Sequence, residues 1–463
     1  MRARLIHVAI GFVIAFVVLA IADARVQIVQ RGFIESHEGD PRHSVSISQR
    51  GTLLDSSGVP LAQSRGDRRV YSAGSALAQL VGYASPIYGE SGLEAGLDTI
   101  VSSKSGSSGS ILAPFDASTV SGPSRGGDVV LTLRADIAAV VDRALPEGIR
   151  GAAVVMDPRT GAVLAIVDRP TFDPNRLEKD WKSLRGRSDA PLLDRGVAGL
   201  YPPGSTFKMF TASAALDAGA VTPDDTFYDP GYFLIDGFRI RNDEDEVTGT
   251  QSVTGAFALS SNVDFAQIGV KLGAPSFYEY LKRFGIGEAL DTPVSVARDN
   301  VPPQNSISDS ELAQMSFGQG SLVVTPLRMA MIGATIANGG ILVPPQFVKQ
   351  IRVPGKPPVS IPPPTGALVI SAETADEVRT MMIAVVRYGT GTAAALPNVV
   401  VAGKTGTATH LGGPPNAWFV CFAPAEAPRL VVAVVVENAG YGGVVSAPIA
   451  RAILAGALPL YPR

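Results

Sequence analysis

Tyr201-Pro-Pro-Gly-Ser-Thr-Phe-Lys208, continuing into Met209-Phe-Thr-Ala-Ser-Ala-Ala-Leu216, is the stretch on which the reading of the chain turns. Two prolines and a glycine make a turn, and the turn signals stop just before Ser205, so a helix is expected to begin there. Ser205 then lies in the first helical turn. Backbone N–H groups without intrahelical partners and the positive end of the helix dipole favour a developing negative charge at that point. Lys208, three residues on, shares the same face. A serine hydroxyl is a poor nucleophile until a base takes its proton, and a lysine can be that base if burial or a second cation lowers its pKa. A lone Ser-x-x-Lys is common by chance, so it needs partners downstream.

The bulk composition narrows the class. At 463 residues the chain suits two or three domains. With 46% hydrophobic and 17% charged residues it can bury a large core, which excludes a disordered protein. A net charge of −3 gives no electrostatic argument for nucleic acid. The single cysteine, Cys421, sits in an apolar run and reads as a small buried residue; no internal disulfide can form. The histidines (His7, His37, His43, His410) are scattered, so neither a metal site nor a Ser-His-Asp triad is expected, and no cofactor is implied.

Arg2 and Arg4 precede an uncharged run from Val8 to Ala22, long enough for a slightly short membrane helix. Positive charge before the run and little after it place the N-terminus in the cytoplasm and the rest outside. The expected organisation is a cytoplasmic tail at 1–5, an anchor at 6–23, a small N-terminal domain at 24–127 and a catalytic domain at 128–463. Ala20-Ile-Ala22 could instead end a cleaved signal peptide; either way the bulk of the chain is exported. Gln49 to Ala62 reads as two short strands joined at Ser57-Gly58, and Ser102 to Ser110 as a flexible linker.

Further on, Leu131 to Leu145 reads as a strand end followed by an amphipathic helix, and Gly151 to Val167 as a hairpin opening an antiparallel sheet. Ser260-Ser-Asn262 interrupts two helical stretches, a pattern that helix capping alone can explain. Phe317 to Ala330 is a glycine turn and a helix, Ile351 to Pro364 a proline-rich surface loop, and Val386 to Gly391 another turn. Val399 to Ala408 is an apolar strand ending in Lys404-Thr-Gly406, where Gly406 would let another backbone approach the strand edge. Strands from Ala417 to Ala423 and Leu430 to Glu437 and a helix from Ala447 to Leu458 complete the chain.

Ser205-x-x-Lys208, Ser260-x-Asn262 and Lys404-Thr-Gly406, in that order, resemble the signature of penicillin-binding proteins and serine β-lactamases. Tyr201 to Lys208, the Gly318-Gln-Gly320 turn with Thr325-Pro326, Ala337-Asn-Gly-Gly340 and Gly403 to Ala408 look like the transpeptidase domain of a class B penicillin-binding protein. The resemblance covers about Val129 to Ala457. Arg50-Gly-Thr-Leu-Leu-Asp55 with Pro60-Leu-Ala62 resembles the start of that class's N-terminal pedestal, and the ending around Pro415 to Pro424 and Val436 to Asn438 is similar to its short actinobacterial PbpA-type members.

That resemblance implies an α/β transpeptidase domain, an antiparallel sheet flanked by helices, with a small pedestal and one transmembrane helix. It implies Ser205 as acylated nucleophile and Lys208 as its general base. Ser260 would relay a proton to the leaving amine and Asn262 would hold the substrate amide. Lys404 would supply positive charge, Thr405 and Thr407 would bind the substrate's terminal carboxylate beside Gly406, and the Ser205 and Thr407 amides would form the oxyanion hole. Ser261 stands where β-lactamases often carry Asp, which is ordinary for penicillin-binding proteins. The implied activity is D,D-transpeptidation of cell-wall stem peptides, with a D-Ala-D-Ala donor and an amine acceptor. β-Lactams would be covalent ligands, and a membrane glycan polymerase and other elongation or division proteins the partners.

Two rivals belong to other classes. A hydrolase, either a D,D-carboxypeptidase or a β-lactamase, needs a way to activate water, and no Glu-x-x-Leu-Asn-type run lies between Ser260 and Lys404. A non-catalytic β-lactam sensor should carry a cytoplasmic effector or several spans, and an inactive scaffold should have lost a motif; neither feature is present in the sequence.

Overall fold

The computed structural model describes residues 47–102, 125–410 and 412–462. The expected tail and anchor, the first part of the expected pedestal and the Ser/Gly run at 103–110 lie outside them. Among the described residues no helix is long and apolar enough to cross a membrane.

The main sheet contains Gly151–Met156 (β1), Val163–Arg169 (β2), Ala402–Ala408 (β3), Asn416–Ala423 (β4) and Leu430–Val436 (β5). Its order is β3-β4-β5-β1-β2, antiparallel throughout. Leu-Val-Val-Ala-Val-Val-Val in β5 shows no polar alternation because every residue of it is buried, as is every residue of β1, β2 and β4. An antiparallel sheet exposed on one face alternates; one covered on both faces does not.

The helices around it are Ala135–Ala144 (α1), Arg195–Ala198 (α2), Lys208–Asp217 (α3), Val253–Leu259 (α4), Asn262–Leu272 (α5), Pro326–Ala337 (α6), Ala372–Arg387 (α7) and Ser446–Ala457 (α8). Helices α1 and α8 pack on each other and on β2 and β5, while α6 lies against β1, β4 and β5. A side chain at Gly333 of α6 would come within 2.9 Å of Val420 in β4, so the glycine sets how closely helix and sheet approach. Helix α7 runs beside the edge strand β3 and touches α3 and α4, which fixes the relative position of the elements carrying Lys404, Lys208 and Ser260.

A second sheet joins the N-terminal part to the rest. Leu53–Leu54 pairs antiparallel with Pro60–Arg65 and parallel with Asp128–Leu131, and Pro60–Arg65 pairs with Arg68–Tyr71. The hairpin expected between Gln49 and Ala62 is therefore present. The proline-rich segment is more than a surface loop: Val348–Arg352 and Val359–Ser360 form a hairpin whose first strand pairs with Asp128–Leu131. Prolines at 354, 357 and 358 occupy the connection, where a missing N–H costs nothing, and an edge strand tolerates such neighbours. Beneath this sheet Arg50 is fully buried and bonds Glu94 (2.7 Å), Glu90 (2.7 Å) and Asp98 (2.5 Å), while Arg69 reaches the other oxygen of Glu94 (2.6 Å).

The helix expected from about Ser205 starts with a tighter turn. Gly204–Phe207 is a 3-10 helix and the α-helix proper begins at Lys208. A 3-10 turn has three residues per turn, so positions three apart eclipse one another. The expected strand at 399–408 is shorter, Ala402–Ala408.

Candidate active site

The turn carrying Ser205 is clamped between β3 and the Gly318 turn. Gly204 N donates to Gly318 O (2.9 Å), and both glycines have positive φ (53° and 80°). A Cβ on Gly318 would lie 2.0 Å from Gly204 O. On the other side, a Cβ on Gly406 would meet Pro203 O and Thr206 Cγ2 at 3.0 Å each. The chain that approaches Gly406 so closely is thus the protein's own nucleophile turn. Thr206 Oγ1 donates to Pro203 O (2.6 Å) and Trp418 Nε1 to Pro202 O (3.1 Å), while Tyr201 pairs with Val324 through backbone bonds in both directions.

Ser260 sits at the join of α4 and α5 in the left-handed conformation (φ 67°), and Ser261 caps α5 by accepting from Asp264 N. Capping and display occur together: the turn that closes one helix and opens the next aims Ser260 and Asn262 at Lys208. Lys208 Nζ donates to Ser260 O (2.5 Å) and Asn262 Oδ1 (2.8 Å), and lies 3.3 Å from Ser260 Oγ. Lys404 Nζ, from β3, donates to the same Ser260 Oγ (2.8 Å) and to Thr405 O (3.3 Å). One hydroxyl therefore bridges two amines, both fully buried. Each amine also faces an aromatic ring, Lys208 over Phe265 (5.5 Å) and Lys404 over Phe257 (5.6 Å).

Burial and the Lys404 charge push the Lys208 amine well below the usual lysine range, and burial brings Lys404 down to about 7, partly opposed by Asp243. A neutral lysine has two N–H donors and one lone pair. The two short bonds of Lys208 use both donors and leave the lone pair for a proton.

Ser205 and Thr407 lie where two clefts meet. One, of about 400 Å³, is lined by Ser260, Thr405, Gly406, Thr390, Leu259 and Val444; the other, of about 280 Å³, by Asn262, Phe238, Arg241, Phe317 and Gln319. Thr405 Oγ1 shares a 2.5 Å hydrogen bond with Thr390 Oγ1, and Thr407 is half-exposed on the cavity wall. Of the eight residues singled out in the sequence, Ser205, Ser260, Asn262, Thr405, Gly406 and Thr407 line these clefts, and Lys208 and Lys404 lie buried behind them, bonded to Ser260. The sequence reading missed Asn242, whose Oδ1 accepts from the Asn262 (2.7 Å) and Val263 (3.1 Å) amides and so fixes the Ser260–Asn262 turn. It also missed Thr390, Phe257 and Phe265. Asn242 lies in the polar run 241–246, which has no periodicity to mark it.

The fold and this constellation define the class. Residues 151–455 match the family described as penicillin binding protein transpeptidase domain, and residues 50–129 match the penicillin binding protein A dimerisation domain. The chain belongs to the penicillin-binding protein transpeptidase family, with an N-terminal dimerisation domain. Among its relatives, the peptidoglycan D,D-transpeptidase PbpA of Mycolicibacterium smegmatis is 34% identical over 422 residues, 84% of each chain. PbpA of Mycobacterium tuberculosis is 34% identical over 421 residues, again 84% of each. Of solved structures, the D,D-transpeptidase domain of a peptidoglycan glycosyltransferase from Eggerthella lenta superposes with a TM-score of 0.81 at 34% identity, covering 89% of this chain and 99% of that one. The ceftriaxone acyl-enzyme complex of M. tuberculosis penicillin-binding protein A gives 0.80 at 32%, covering 90% and 100%.

Proposed function

We propose that the chain is a peptidoglycan D,D-transpeptidase that works through an acyl-enzyme on Ser205 and is acylated by β-lactams. The observation that carries this is the Ser260 hydroxyl held between the buried amines of Lys208 and Lys404, beside a serine at the junction of two clefts. Two clefts suit two substrates.

In the proposed sequence Lys208 Nζ takes the Ser205 proton as Oγ attacks the carbonyl of the terminal D-Ala-D-Ala bond. The oxyanion is held by the Ser205 and Thr407 amides, and one such donor contributes about 3 kcal/mol. The proton passes through Ser260 to the leaving nitrogen, the C–N bond breaks and D-Ala departs. An acceptor amine then attacks the ester from the second cleft, giving its proton back along the same relay and restoring the Ser205 hydroxyl. Lys404, Thr405 and Thr407 bind the donor's terminal carboxylate, and Asn262 its amide. Lys404 also keeps Lys208 neutral.

The relatives named PbpA are peptidoglycan D,D-transpeptidases, and one neighbouring structure is a β-lactam acyl-enzyme. The rest of the proposal rests on the sequence: a single-pass plasma-membrane anchor at 6–23 with a short cytoplasmic tail before it, a pedestal over 24–127, the catalytic domain over 128–463, and a membrane glycan polymerase with other elongation or division proteins as partners.

The test is a two-substrate assay. The full chain with a D-Ala-D-Ala stem peptide and an amine acceptor should release D-Ala and form cross-linked peptide in equal amounts, and Ser205→Ala should do neither. D-Ala release without transfer would make it a carboxypeptidase, and sustained nitrocefin turnover a β-lactamase.

A further inference from the structure

Two carboxyl groups lie close to the arm that carries Ser205, and the mechanism above uses neither. Asp168 belongs to β2 and is 1% exposed; Asp194 immediately precedes α2, is half-buried and lines a cleft, with its Oδ2 turned inward. Asp168 Oδ1 accepts from Gly196 N (2.9 Å) and Asp194 Oδ1 from Val197 N (3.3 Å), two consecutive amides of one turn. Each carboxyl thus has one oxygen satisfied. The second oxygen, Oδ2 in both, is buried and has no hydrogen-bond partner among the described residues.

Among the described residues no cation bonds either carboxyl. Arg195 bonds Glu437 (2.8 Å) and the carbonyls of Ala190 and Asp189. Arg169 bonds Asp142 (2.9 Å) and the Asp168 carbonyl (3.3 Å), its buried Nε finding no partner among the described residues, and Arg328, on α6 beside α2, bonds Asp299 (2.6 Å). Tyr201 OH donates to Glu437 (2.8 Å), which also pairs with Arg150 (3.1 Å). Two ionised carboxylates here would repel and would leave two buried acceptors unsatisfied. A single proton shared by the two carboxyl groups would ease both defects. Burial, and for Asp168 the neighbouring Asp194, raises both carboxyls above the usual range, in line with that geometry.

The position of the pair gives it a role. Asp194 sets the start of α2; the next residue, Arg195, holds Glu437; Glu437 holds Tyr201; and Tyr201 leads directly into Pro202-Pro-Gly-Ser205. We propose that Asp168 and Asp194 are positioning residues that share one proton, and that the protonated pair holds the Ser205 turn in register through Arg195, Glu437 and Tyr201. The inference rests on the reading of Ser205 as nucleophile. In the unfolded chain both carboxyls ionise near pH 4. The folded chain keeps protons to higher pH, so the pair's contribution is full at low pH and is lost as pH rises through its folded titration.

Asp194→Asn supplies a permanent N–H in place of the shared proton. The full chain and this variant are compared between pH 5.5 and 9 in urea unfolding and in the second-order rate of acylation by benzylpenicillin. Both proteins carry the same lysines, so lysine titration cancels in the ratio. Relative to the variant, the wild-type folding constant should fall with rising pH, by up to about tenfold per unit for one proton, and its acylation rate should fall with it. Asp168→Asn should behave like Asp194→Asn. Parallel pH curves for wild type and variant would overturn the shared proton. Diverging stability with parallel acylation would overturn the positioning role, and failure of both asparagine variants to fold would show that a proton is not what the pair needs. If neither protein were acylated while the stability curves still diverged, the reading of Ser205 would fail and the shared proton would stand.

Discussion

At the scale of single residues the site depends on two lysines kept in different states by their surroundings. Lys208 is buried beside Lys404, and its two short bonds to Ser260 O and Asn262 Oδ1 suit a neutral amine. Lys208→Met should keep the fold and lower the rate of benzylpenicillin acylation by about a hundred- to ten-thousand-fold, the usual contribution of a general base; stopped-flow fluorescence measures it. Lys404 falls to about 7 through burial. Its charged form therefore predominates below that pH and declines above it, so kcat/KM for a carboxylate-bearing donor should show an alkaline limb near pH 7. In Lys404→Met that limb should be absent. An unchanged profile in the variant would assign the limb to another group.

Much of this residue-level picture was legible. Ser205, Lys208, Ser260, Asn262 and Lys404 stood out because their chemistry is tied to short spacings on turns that glycine, proline and serine make predictable. Asn242 and Thr390 were not legible, since they act on the backbone or on another side chain across long sequence separations and carry no local pattern.

Among the elements, the turns decide where the site forms. The sequence places a helix start at Ser205; the structure inserts a 3-10 turn, pulled tight by the Gly204–Gly318 bond and by β3 at Gly406. Helix propensity alone cannot show that turn, because the cause lies over a hundred residues away. Gly318 combines φ 80° with a neighbour 2.0 Å from where a Cβ would stand. Gly318→Ala should cost about 1–3 kcal/mol in backbone strain and steric displacement, read by urea unfolding, and should slow acylation far more than Gly339→Ala. Gly339 also has positive φ (64°), but nothing lies within 4 Å of its Cβ position. Equal effects from the two substitutions would mean that contact with the Ser205 turn is unimportant. The buried strands β1 and β5 were legible as apolar runs, whereas the hairpin Val348–Ser360 was hidden by its prolines and exposed residues.

Over the whole molecule, the second sheet makes the N-terminal and catalytic parts depend on one another, because Asp128–Leu131 pairs with Leu53–Leu54 on one side and Val348–Arg352 on the other. The Arg50 network beneath it is fully desolvated at Arg50 and Glu94. Arg50→Met would leave Glu94 with Arg69 as its ion-pair partner among the described residues and would break three ion pairs, so a loss of about 3–5 kcal/mol is expected. Differential scanning calorimetry should show this as a lower Tm for the unfolding unit that includes the hairpin Val348–Ser360. Composition showed a polar, Gly- and Ser-rich N-terminal stretch, and the resemblance at Arg50–Asp55 suggested a pedestal there; that its sheet borrows strands from residue 348 onward was not legible, since strand pairing at such distance leaves no trace in local pattern.

The central claim is that Ser205, activated at the meeting point of Lys208, Ser260 and Lys404, forms the acyl-enzyme. Intact mass spectrometry of the chain after brief exposure to benzylpenicillin, beside Ser205→Ala, tests it most directly. One stable adduct on the peptide containing Ser205, absent from the variant, is the predicted result. An adduct of the same mass on the Ser205→Ala protein, or none on folded wild-type protein, would contradict it.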